Sequence, residues 1–198
     1  LDALEALMAT IRRTPYQFTR DVFLGLDVAA SEFWQSGRYT IKDRAQSFSP
    51  EEFLNYYEEL DKAYHLFSLE DPLHEDDWSG WQALTRLIGQ TTLIVGDDLL
   101  ATNKDRLRQA IDTKACTAIL VKPNQIGTIS ETIEVINIAK EANFKIIISH
   151  RSGETTDDFI ADFAVGLQAD STKFGAPVRG ERVAKYNRLL AIESQIHP

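Results

Sequence analysis

An α/β fold built on a parallel sheet is the class this sequence predicts, and three observations predict it. Short apolar segments recur along the 198 residues, each ending on a residue that can carry charge: Leu26-Asp27, Leu69-Glu70, Gly96-Asp97, Val121-Lys122, His150-Arg151 and Thr172-Lys173. Asp27, Glu70, Asp97, Lys122, His150 and Lys173 are 43, 27, 25, 28 and 23 positions apart in order. Four of the five gaps are close to the roughly 30 residues of one strand-plus-helix unit in a parallel barrel. Helical signals fill the intervals. Right-handed crossovers then leave a (β/α) barrel or an open doubly wound sheet, between which pattern alone does not decide. In a barrel the strand ends share one rim, so residues remote in sequence meet around one ligand.

The elements follow in order. Leu1 to Ile11 is an amphipathic, acidic helical stretch. Strands are expected over Val22 to Ala29, His65 to Leu69, Thr92 to Val95, Ala118 to Val121, Lys145 to Ser149 and, less apolar, Ala169 to Phe174. Most are short continuous apolar runs, as expected where both faces of a parallel strand are covered. Ser49-Pro50-Glu51-Glu52 is a capping box with proline at the first helical position and opens a helix to about Tyr64. Thr128 with Glu131 repeats the box before Ile133, Ile136 and Ala139, and Asn103 caps the helix carrying Leu107 and Ile111. Glu75, Asp76 and Asp77 read as a helix start, where acids suit the dipole. Thr155 with Asp158 opens Phe159 to Leu167, and Glu181 to Ile192 forms the last helix. No linker, repeat or composition break marks a second domain.

Composition narrows the function. Hydrophobic residues make up 43% of the chain, enough for a sizeable core. The formal charge is -9, and the 21 basic residues form no block, which argues against a nucleic-acid partner. An anionic ligand therefore needs local cations or a metal. Cys116 is the single cysteine, so there is no intrachain disulfide and no multi-thiolate site, and a cytoplasmic location is expected. No apolar run approaches the ~18 residues of a membrane span.

Asp27, Glu70 and Asp97 each directly follow an apolar strand, and three oxygen ligands from successive strand ends suit a hard divalent cation such as magnesium. Taken singly, each acid reads as a helix cap or a solvent-facing residue, and it is the repeated position that weakens that reading. Their neighbours Asp71 and Asp98 are expected to point away. Lys122 ends the run Ala118-Ile119-Leu120-Val121, where apolar neighbours favour a neutral amine able to take a proton from a carbon acid. A lysine extending to solvent or paired with a carboxylate fits the same letters. His150-Arg151-Ser152-Gly153 places a cation, a hydroxyl and backbone N–H groups in a glycine-relaxed turn, a seat for phosphate, and Lys173 adds a second cation. His65, His74 and His197 have no partner spacing, and Trp34, Trp78 and Trp81 read as packing residues.

These segments resemble the enolase family: Leu26-Asp27-Val28-Ala29-Ala30-Ser31-Glu32-Phe33, Glu70-Asp71-Pro72, Gly96-Asp97-Asp98-Leu99, Lys122-Pro123-Asn124-Gln125-Ile126-Gly127-Thr128 and Ser149-His150-Arg151-Ser152-Gly153-Glu154-Thr155. The likeness runs from about Leu24 to Glu193, in the family's order and spacing. It implies a partial TIM-type (β/α) barrel of about six of eight strand-helix units. Residues 1–198 then form the carboxyl-terminal part of the enolase barrel domain, with the amino-terminal domain and first barrel strands absent. It implies phosphopyruvate hydratase activity, the magnesium-dependent interconversion of 2-phosphoglycerate and phosphoenolpyruvate in glycolysis. Asp27, Glu70 and Asp97 match the family's Mg2+ ligands, and Lys122 matches its base. His150, Arg151, Ser152 and Lys173 match contacts to the substrate's phosphate and carboxylate.

The family's acidic proton-donor loop has no counterpart here, so low or no turnover is expected of the 198 residues alone. Gly180 stands where many relatives have Ser or Thr, a weaker helix cap. A homodimer is expected of the full-length protein. Two other readings use the same letters: a different lyase of the superfamily, and a non-catalytic surface receptor of the plasminogen-binding type.

Overall fold

The computed structural model describes residues 2–42 and 45–196. It divides into two compact units, residues 1–99 with 113–117, and residues 100–112 with 118–198. Among the described residues no helix is long and apolar enough to cross a membrane. The fold class is α/β, a partial (β/α) barrel in which each parallel strand is followed by helix.

The first unit contains α1 (Asp2–Ile11), β1 (Leu24–Asp27), a 3-10 turn (Ala30–Phe33), the hairpin β2 (Trp34–Gln35) and β3 (Arg38–Tyr39), α2 (Pro50–Tyr64), β4 (Leu66–Glu70), α3 (Trp78–Ile88) and β5 (Leu93–Gly96). Strands β1, β4 and β5 pair in that order, all parallel. The expected strand Val22 to Ala29 is shorter at both ends. Before it, Val22 joins an isolated bridge to Phe18, and after it Ala29 turns left-handed at φ 47. A register shift at Leu24/Gly25 brings Gly25 against Ser68; a Cβ there would meet the Ser68 hydroxyl at 2.5 Å. Helix α2 carries the expected box in full: Ser49 Oγ accepts from Glu52 N at 3.2 Å, and Glu52 Oε2 accepts from Ser49 N at 2.6 Å. Its buried face presents Phe53, Tyr57 and Leu60. Tyr39 stacks on Phe53 at 4.4 Å, and Tyr57 tilts against the same ring at 4.6 Å.

The second unit contains α4 (Lys104–Thr113), β6 (Ala118–Val121), a single turn α5 (Pro123–Ile126), α6 (Ile129–Glu141), β7 (Lys145–Ser149), α7 (Phe159–Gly166), β8 (Ser171–Lys173) and α8 (Gly180–Ile196). Strands β6, β7 and β8 pair parallel in that order. All four residues of β6 are buried, as expected of a strand covered on both faces. Asn103 caps α4 through Oδ1, which accepts from Asp105 N and Arg106 N, and Thr128 caps α6 by accepting from Glu131 N. The start of α7 differs from expectation. Asp158 makes no side-chain cap bond; Asp157 Oδ1 instead accepts from Phe159 N at 2.9 Å. Helix α7 packs on α8.

Candidate active site

In the first unit, the carboxyl-terminal ends of the three parallel strands carry the acids. Asp27 and Glu70 are register partners at the ends of β1 and β4. Asp97 follows β5, two residues beyond Val95, the partner of Glu70. Asp27 is exposed, whereas Glu70 and Asp97 are only 7% and 8% exposed. Burying ionisable oxygens costs free energy unless a partner stabilises the charge.

Asp71 corrects the sequence reading. It does not point away: Oδ1 accepts from Asp97 N at 2.9 Å and Oδ2 from Asp98 N at 2.8 Å. Strand alternation fails at this residue because its backbone is left-handed, φ 43, which swings the side chain across to the loop after β5. Ligand atoms of Asp71, Asp97 and Asp98 lie within 4.8 Å of one another. Burial first, and then the neighbouring Asp97 and Asp98, push the Asp71 carboxyl up to about 7, against the two N–H bonds. Oxygen donors alone, crowded at one sheet end, fit a hard divalent cation better than a thiophilic one.

The loop after Glu70 is pinned from three directions. Tyr57 donates to Pro72 O at 2.7 Å, Tyr39 accepts from His74 N at 2.9 Å, and Ser31 Oγ accepts from Glu75 N at 3.1 Å. Burial raises the Tyr39 hydroxyl to about 12, so it stays protonated at any ordinary pH. Trp81 Nε1 donates to His74 O, and Asp77 Oδ1 accepts from Gly80 N to start α3. Sequence reading placed the acids here but gave none of these hydroxyls a role, and they come from elements 15 to 44 residues away.

In the second unit the strand ends carry cations. Lys122 directly follows β6, is half-buried, and is the residue before the α5 turn. Its backbone N–H donates to Thr102 Oγ1 at 3.0 Å, and the same hydroxyl donates to Gln125 Oε1 at 2.6 Å. Thr102 is fully buried and, like Ala101, left-handed, at φ 51 and 46. Two consecutive non-glycine residues in this region are strained, and the hydroxyl they aim sets the backbone at Lys122.

His150 follows β7 and donates its N–H to Lys173 O at 3.0 Å; Ser149 and Lys173 are register partners. His150 is 9% exposed, and its Nδ1 has no hydrogen-bond partner among the described residues. An orphaned buried nitrogen is expensive and marks a place for a ligand or water. Burial first, then the charge of Arg182, with Lys173 and Lys185 adding, hold the His150 pKa below its ordinary value despite Glu154. Gly175, at φ 77, admits this crowding: a Cβ there would lie 2.8 Å from Arg182 Cδ and 3.0 Å from His150 Cε1. Arg151 and Ser152 lie in the exposed turn that lines a cleft of about 520 Å³ with Asn124, Thr155 and Phe159. Arg151 Nη1 donates to Asn124 Oδ1 at 2.9 Å. A chain of net charge -9 thus gathers Arg151, Lys173 and Arg182 near the His150 imidazole, local positive charge of the kind that draws an anion.

Residues 1–198 match the family model described as Enolase, C-terminal TIM barrel domain. The chain belongs to the enolase family. It is similar to Enolase of Acidothermus cellulolyticus (strain ATCC 43068 / DSM 8971 / 11B), at 45% identity over 195 residues, 98% of this chain and 45% of the relative. The chain therefore spans less than half the length of that curated enolase.

Proposed function

We propose that the intact protein containing this chain is a phosphopyruvate hydratase, which reversibly removes water from 2-phosphoglycerate to give phosphoenolpyruvate. The observation that carries the reading is positional. Every residue singled out for chemistry lies at the carboxyl-terminal end of a parallel strand or in the loop after it, in a chain 45% identical to an enolase. Asp27, Glu70 and Asp97 would hold Mg2+. The bound ion supplies positive charge that neutralises the substrate carboxylate and makes the adjacent carbon more acidic.

Lys122 takes the proton from carbon 2 and must be neutral to do so; the Thr102 hydroxyl fixes its backbone. His150, Arg151, Ser152 and Lys173 bind the phosphate and carboxylate. The buried His150 Nδ1 and the Arg151 guanidinium provide directed polar contacts there, worth more away from water than in it. Elimination also needs an acid to protonate the departing hydroxyl, and none of the residues above takes that role. We therefore expect the 198 residues alone to turn over slowly or not at all.

The test follows phosphoenolpyruvate formation from 2-phosphoglycerate by the intact protein, with magnesium and after chelation. Activity that depends on magnesium and falls by at least about a hundredfold in Asp97→Ala supports the reading. Wild-type rates in Asp97→Ala, or full activity after chelation, refute it.

A further inference from the structure

The Lys185 ammonium is fully buried, yet the residue lies on α8, where lysines usually extend to water. Four acceptors surround it: Glu154 Oε2 at 2.8 Å, Thr155 O at 2.9 Å, Asp157 O at 2.8 Å and, from its own helix, Glu181 O at 2.8 Å. An ammonium has three donors, so this set saturates it and leaves nothing for an external anion. Three of the four acceptors belong to residues 154–157, the segment that follows Arg151-Ser152-Gly153.

Glu154 divides its oxygens. One meets Lys185; the other, Oε1, accepts from the backbone N–H of Arg151 at 2.9 Å. Burial opposes ionisation of Glu154, but Lys185 and the Arg151 N–H outweigh it and hold the carboxyl below its usual range. An unbroken polar path thus runs from α8 through a buried ion pair to the main chain of the turn. Buried pairs of this kind add little net stability over apolar packing, and their best-attested use is to specify one conformation.

We infer that Lys185 and Glu154 are positioning residues, holding the Arg151-Ser152-Gly153 turn in its phosphate-binding shape without touching the ligand. The inference rests on reading that turn as the phosphate seat. It separates two kinds of cation around one loop: Arg151, exposed and available, and Lys185, saturated and structural.

The experiment titrates inorganic phosphate calorimetrically into the intact wild-type protein and into Arg151→Ala, Glu154→Gln, Lys185→Met and the Glu154→Gln/Lys185→Met double variant, with a thermal melt of each. Arg151→Ala is expected to weaken phosphate binding tenfold or more. Glu154→Gln and Lys185→Met are each expected to weaken it about tenfold, and the double variant no further than either single, because the pair acts as one unit. A role in stability alone would lower the melting temperature and leave the affinity of folded protein unchanged. Glu154→Gln keeps the side-chain volume at a carboxylate already 17% exposed, and it decides the matter if Lys185→Met fails to fold. Wild-type affinity in Glu154→Gln, with Arg151→Ala impaired, overturns the positioning role and leaves the seat intact. If Arg151→Ala and the wild type are alike, in binding or in failing to bind, the seat itself is wrong.

Discussion

Thr102→Val removes one hydroxyl and almost no volume, which makes it a sharp probe of how Lys122 is held. The Thr102 oxygen accepts from Lys122 N at 3.0 Å and donates to Gln125 Oε1 at 2.6 Å, in a site with no exposure at all. Each bond contributes about 1 kcal/mol net, and a buried donor deprived of its acceptor adds a desolvation penalty of similar size. The loss should total about 2–3 kcal/mol, or roughly 4–12 °C in melting temperature for a domain of this size. Valine and threonine share shape and β-branching, so the left-handed backbone at φ 51 is no worse served by one than by the other. Thr102→Ser keeps the hydroxyl and should lose much less. In the intact protein a small displacement of Lys122 should reduce kcat about a hundredfold while KM changes little. Melting curves and 2-phosphoglycerate kinetics on both variants check this. A Thr102→Val protein with wild-type kcat, or a Thr102→Ser protein as impaired as Thr102→Val, would refute the claim that this hydroxyl positions the base.

Two further predictions concern the cationic turn. The His150 pKa lies below the ordinary 6.5 because burial and then Arg182 disfavour its charged form; inorganic phosphate should shift it upward, read by imidazole NMR across a pH series, and no shift on saturation would count against the seat. The sign for stability follows: as pH falls the unfolded chain takes up this proton first, so the fold gains stability as pH rises through this window and loses it below. Gly175→Ala should cost about 2 kcal/mol, since alanine resists φ 77 and its methyl would press on Arg182 and His150; a melt at wild-type temperature with unchanged phosphate affinity would show that the close approach is unimportant.

Much of the fold was legible because it rests on local rules. The run Ala118 to Val121 coincides with β6, continuously apolar because it is buried on both faces, and Lys145 to Ser149 coincides with β7 around its buried Ile146 and Ile148. The Ser49 box predicted α2 from its first residue to its last. The hairpin β2/β3 went unread although Ser36-Gly37, at φ 48 and 81, is the left-handed dipeptide that a two-residue turn requires. Asp71 was misjudged because strand alternation was carried one residue past the strand, to a position where the backbone had already turned. Lys185 looked like any lysine of a mixed helix; only tertiary structure reveals the four oxygens that enclose it. Roles of Asp27, Glu70, Asp97 and Lys122 were suggested by their place after apolar runs, but Thr102, which holds the Lys122 backbone, and Tyr39 and Tyr57, which hold the loop after Glu70, are remote in sequence and leave no local trace.

The loop beyond Glu70 is moored by hydroxyls from Ser31, Tyr39 and Tyr57, one each from the 3-10 turn, the hairpin and α2. Because the three anchorages are contributed by separate parts of the chain, a mutation at any one of them leaves two in place. Drift in this neighbourhood should therefore be gradual, with the loop loosening over successive changes instead of letting go at the first.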